Sequence, residues 1–124
     1  MKTNDVILWL RLEAALVLAA TVAAYQWLGG AWLPFAALFF LPDLSLLAYL
    51  RGSEAGARAY NLAHSYAAPA ALALTTAAAT GQLPSALWLV WVAHIAFDRA
   101  AGYGLKQVES FHATHLGPIG RVSR

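Results

Sequence analysis

The chain has 124 residues, of which 60% are hydrophobic and 11% charged, with no cysteine and a mean hydropathy of +0.57. That composition leaves too little polar surface for a soluble domain of 13.2 kDa, and the lack of cysteine excludes disulfides, thiolate metal sites and cysteine nucleophiles. A formal charge of +2 fits anchoring to anionic headgroups and gives no reason to expect nucleic acid as a partner.

Four apolar stretches follow in chain order, at 6–28, 31–50, 59–79 and 83–105. At about 1.5 Å of rise per helical residue, each is long enough to cross a hydrocarbon core of roughly 30 Å. The expected fold class is therefore all-α: a polytopic membrane protein built as a four-transmembrane-helix bundle. The first stretch resembles a secretory signal because Lys2 precedes it, but Arg11 and Glu13 interrupt the run, which reads as a retained helix. The second contains Pro34 in its first turn and Pro42 in its interior, beside Asp43, where a kink is expected. The third is rich in alanine and carries Pro69. Small side chains let helices approach closely in lipid, so this stretch is expected to be the central helix. The fourth has Pro84 in its first turn. Trp9, Trp27, Trp32, Trp88 and Trp91 lie mostly near the ends of the stretches and read as interfacial anchors.

Residues 1–105 form one transmembrane domain on this reading, and 106–124 a C-terminal tail. The turns at 29–30 and 80–82 hold no Lys or Arg, whereas Arg51 and Arg58 flank the middle loop, Lys2 precedes the first stretch, and Lys106, Arg121 and Arg124 follow the last. Positive residues stay on the cytoplasmic side, so both termini and the middle loop are expected there. In the tail, His112 and His115 would share a face if 109–116 is helical, with Gly117-Pro118 ending the turn. The tail then lies at the interface or acts as a lid bringing a histidine to the polar layer.

That layer is the main functional signal. Counted from the cytoplasmic ends of the four stretches, Glu13, Asp43, His64 and Asp98 lie at comparable depth, with His94 one turn deeper than Asp98 and Asn61 three residues before His64. Charges inside hydrocarbon cost several kcal/mol each, so such residues normally face a bundle interior and mark a site. Imidazole with carboxylate suits a divalent metal, zinc first, held by His64, His94 and Asp98. Glu13, Asp43, Asn61 and Arg99 form the candidate catalytic set around it, with Asp43 or Glu13 as base or supporting partner. The chemistry expected is metal-assisted hydrolysis or modification of a lipid or small molecule.

Three other readings compete. Haem ligated by His64 and His94 is disfavoured because the charged neighbours suit an apolar macrocycle poorly. Glu13 on the first of four short helices resembles the plan of small multidrug-resistance exporters in size and span number, which implies a proton-coupled transporter working as a homo-oligomer. The third alternative is structural: Arg11, Glu13, Asp43 and Arg99 form a buried salt-bridge network that fixes helix register.

The strings LPDLSLLAYL (41–50), AYNLAHSYAAP (59–69), AHIAFDRAAGYGLK (93–106) and THLGPIGR (114–121) together resemble a family of small bacterial integral-membrane proteins known as domain of unknown function 4260. The resemblance covers nearly the whole chain and implies a four-helix protein of the bacterial inner membrane with no established activity. Asp43, Asn61, His64, Tyr66, His94, Asp98, Arg99, Gly102, Tyr103, Gly104 and His115 stand at its motif positions.

Overall fold

A computed structural model describes residues 2–107 and 110–116. Among the described residues the fold is all-α, with five α-helices, one 3-10 helix and a short two-stranded β pairing: α1 (Thr3–Trp27), α2 (Trp32–Leu38), the 3-10 helix (Leu41–Arg51), α3 (Ser53–Ala63), α4 (Ala67–Thr80), α5 (Trp88–Ala101), β1 (Lys106–Gln107) and β2 (Ser110–Thr114).

The leucine- and alanine-rich run of α1 favours a helix, and the backbone N–H of Lys2 donates to Asp5 Oδ2 across its first turn. The helix stops at a turn through Gly29, whose φ of +75° suits glycine, and Gly30 N donates to Tyr25 O. Buried Tyr25 then fastens the reversal: its hydroxyl donates to Ala31 O, and its ring meets Trp32 and Phe35 edge-on.

The second stretch changes helical type where Pro42 falls. α2 ends at Leu38 and the 3-10 helix starts at Leu41, placing Pro42 in a first turn where its missing N–H costs little. Eleven residues is long for a 3-10 helix, and the side chains follow its period of three. Leu41, Leu44, Leu47 and Leu50 are all exposed, while Asp43, Leu46 and Tyr49 turn inward. Two segments, Thr3–Trp27 and Trp32–Arg51, are long and apolar enough to cross a membrane by length and composition.

The third stretch differs from the expected continuous helix at 59–79. It divides into α3 and α4, with residues 64–66 between them. Proline at position 69 lacks an N–H and would crowd the carbonyl four residues back in an unbroken helix; starting α4 at Ala67 puts it in a first turn instead. Nor is the alanine-rich segment central, since α4 is largely exposed. The central helix is α5, which buries Val90, Ala93, His94, Ile95 and Ala96 and packs most extensively on α1, while α3 packs on the 3-10 helix. Residues 83–87 precede α5, so Pro84 lies in the connection and not in a first turn. At 14 residues, about 21 Å, α4 and α5 are each shorter than the expected spans.

Gly102 ends α5 at a φ of +100°, with Gly102 N donating to Arg99 O and Tyr103 N to Asp98 O at 2.7 Å. This paired capping pattern needs a left-handed residue that only glycine supplies cheaply. Gly102→Ala is expected to cost about 1 kcal/mol, read as a lowered midpoint of thermal unfolding in detergent. An unchanged midpoint would mean that the left-handed cap is not limiting.

The tail does not continue as the helix considered for 109–116. Its backbone forms β2, antiparallel to β1 with Lys106 opposite Thr114, and Asn61 of α3 clasps Lys106 on both backbone groups. The Gly117-Pro118 turn and the His112 side chain fall outside the described residues.

Candidate metal centre

Where α3 ends, its last carbonyls lack helical partners and must find donors elsewhere. His64 N and His64 Nδ1 both reach Tyr60 O at 2.9 Å, Trp91 Nε1 donates to Ala63 O at 2.6 Å, and an Arg99 guanidinium N–H donates to His64 O at 3.1 Å. Helix α5 thus satisfies the broken end of α3. Trp91, expected as an interfacial anchor, serves as a clamp across the two helices.

This arrangement fixes the state of His64. A carbonyl oxygen can only accept, so His64 Nδ1 carries the proton facing Tyr60 O, and in the neutral ring Nε2 presents a lone pair. Tyr60 lies flat on the imidazole at 3.8 Å with an interplanar angle of 10°. The lone pair points at three more donor atoms: Asp43 Oδ1 at 3.0 Å, His94 Nε2 at 3.1 Å and Asp98 Oδ2 at 3.4 Å. His94 Nε2 lies 3.2 Å from Asp43 Oδ1 and 3.3 Å from Asp98 Oδ2. The i, i+4 spacing on α5 brings Asp98 beside His94, and Phe39 meets the His94 ring edge-on at 5.1 Å.

Asp43, His64, His94 and Asp98 form a group that could hold a metal ion, with one donor atom from each residue and all of them within 4.8 Å of one another. Both histidine side chains are almost fully buried, at 3% and 2% exposure. Asp98 is 16% exposed and Asp43 37%, so Asp43 is the ligand nearest solvent. His94 Nδ1 is buried and has no hydrogen-bond partner among the described residues.

The other polar residues expected in this layer are placed around the group and not in it. Asn61 spends its amide on Lys106, accepting from its N–H at 2.7 Å and donating to its carbonyl at 2.8 Å. Arg99 is committed to His64 O and lies over the Tyr66 ring. Glu13 is exposed and lines a small cleft with Arg99, Tyr66 and His115. Arg11 donates to Ala100 O at the end of α5. Among the described residues, neither arginine forms an ion pair with Glu13 or Asp43, so the salt-bridge network considered from sequence is not formed there.

His115, considered as a lid residue, accepts the Leu105 backbone N–H at Nδ1, 2.8 Å away. Burial, and then the Arg99 charge, hold its imidazole below the ordinary value. Sequence reasoning missed Tyr60, whose ring backs His64, and Lys106, whose ammonium lies 4.7 Å from the centre of that same ring. The Tyr60–His64 spacing of four was a usable signal. Lys106 had none, because its position depends on a contact 45 residues away in sequence. Burial pushes the Lys106 ammonium below its ordinary value, against the pull of Asp98.

The group opens into a cleft of about 450 Å³ lined by Phe40, Asp43, Leu46, Tyr60, Phe97, Asp98, Tyr103 and Lys106.

Comparison with protein families gives a match over residues 7–119 to the family described as a domain of unknown function, DUF4260, and the chain belongs to it. No curated protein and no solved structure matches the chain.

Proposed function

We propose that this DUF4260 protein is a four-span membrane metalloprotein, in the bacterial inner membrane with both termini cytoplasmic, whose Asp43/His64/His94/Asp98 centre binds one divalent ion and supports hydrolysis of a lipid or amphiphilic substrate. The observation that carries the metal reading is the set of five donor–donor distances between 3.0 and 3.4 Å. Four ligands about 2.0–2.1 Å from a tetrahedral ion stand about 3.3 Å from one another. A proton shared by one pair leaves the remaining lone pairs facing each other, whereas a central cation satisfies all four donors. Two imidazoles and two carboxylates suit zinc among the common divalent ions.

His64, His94 and Asp98 are the holding ligands on this reading, with the Tyr60 carbonyl orienting His64 through its Nδ1–H. A bound ion would lower the pKa of a water in the remaining position and polarise a substrate carbonyl or phosphoryl oxygen. Asp43 is half-exposed on the cleft wall, which supports a role for it in giving up its ligand position or taking the proton from such a water. The transport reading has less support, since the cleft holding Glu13 is lined by Arg99 and His115 and by none of the four donors.

The test compares two isosteric changes. Asp98→Asn is expected to weaken metal affinity by about 100-fold, and Asp43→Asn by about tenfold or less while suppressing hydrolysis. Wild-type affinity in both variants would overturn the assignment of carboxylates to the centre.

A further inference from the structure

Lys106 is held where it can act on whatever enters the metal cleft. Asn61 grips its backbone on both sides, the residue as a whole is 5% exposed, and its ammonium sits over the face of Tyr60, whose other neighbour is the His64 ring. Lysine is rarely buried unless its charge is used, and here it shares the cleft with the carboxylates of Asp43 and Asp98. A divalent ion at the four donors would add two positive charges to a cleft wall that already carries the Lys106 ammonium. An anion is then attracted more strongly when the ion is bound.

We infer that the cleft holds a phosphoryl subsite, in which Lys106 receives one phosphate oxygen while the ion at Asp43, His64, His94 and Asp98 takes another. The inference rests on the metal reading above. A phosphate monoester carries a charge of about −1.5 to −2 and three acceptor oxygens, enough to bridge an ion and an ammonium at once. The rest of the wall is mostly aromatic, from Phe40, Tyr60, Phe97 and Tyr103, with Phe40 and Phe97 exposed at 65% and 46%, so the group attached to the phosphate meets aromatic surface. Phosphate from a lipid or from a soluble ester shares this chemistry.

The test uses the full chain in mild detergent, loaded with zinc, and titrates inorganic phosphate, glycerol phosphate and a short-chain phosphatidic acid by calorimetry. Zinc-loaded wild type is expected to bind phosphate and the metal-free protein to bind it poorly. Lys106→Met is expected to keep its zinc and lose about tenfold or more in phosphate affinity, with Lys106→Arg recovering most of it. Tighter binding of phosphatidic acid than of glycerol phosphate assigns the lipid source, and equal binding the soluble one. Zinc-loaded Lys106→Met that binds phosphate as wild type does would overturn the subsite alone. Wild type that takes up no zinc would overturn the metal reading and the subsite with it.

Discussion

Replacing His94 with alanine is expected to abolish stoichiometric metal binding while leaving the helices formed. The residue lies on the most buried helix, and its Nε2 stands within 3.3 Å of three other donors. Losing a group that merely supports a ligand typically costs 10- to 100-fold in metal affinity, so losing the ligand itself is expected to cost roughly 100-fold or more. His64→Ala should match it, because the two imidazoles meet at 3.1 Å. His115→Ala, whose ring is tied to Leu105, should leave affinity unchanged. Both ligands must be neutral to bind, so wild-type affinity is expected to fall as pH is lowered and protons compete with the ion for the imidazoles. Equal metal retention by His94→Ala and wild type, measured by competition with a chelating dye, would remove His94 from the centre.

A second large effect is expected at a glycine outside the four donors. Gly56 of α3 lies so close to the Tyr49 ring of the 3-10 helix that an added Cβ would overlap the base of the ring, so the whole side chain would have to leave its place. Gly56→Val should therefore destabilise the protein by about 2–4 kcal/mol. His64 directly follows the first of these elements and Asp43 lies on the second, so the same change should pull the two side chains apart and weaken metal binding. Adding Tyr49→Ala to Gly56→Val should recover part of both losses, since the two residues share one contact. If the double variant is no better than Gly56→Val, the close approach is not the cause.

The sequence put His64, His94 and Asp98 forward as ligands and Asp43 as a base or supporting partner, because depth along a helix follows from counting residues and the i, i+4 spacing of His94 and Asp98 is local; that Asp43 stands among the donors themselves was not legible. What surrounds them was less legible. Leucines at 41, 44, 47 and 50 repeat at a period of three, the signature of the 3-10 helix, yet the same run also satisfies the length and composition of an α-helical span. Pro69 signalled a disturbance, but the break at 64–66 also depends on Trp91 and Arg99 reaching the freed carbonyls from another helix. Asn61 looked like a member of the site because it stands three residues before His64 in the same apolar stretch. Its partner is the backbone of Lys106, 45 residues away, and no local pattern reports such a contact. For the same reason the sequence left Glu13 among the site candidates, although α1 turns it toward Arg99 and His115.

The central claim is that Asp43, His64, His94 and Asp98 hold a divalent ion, and elemental analysis of protein purified in mild detergent without chelator tests it most directly. One divalent ion per chain in wild type, lost in His64→Ala, is the result expected. Wild-type protein that carries no stoichiometric metal, and gains none when zinc, manganese or iron(II) is supplied, would contradict it.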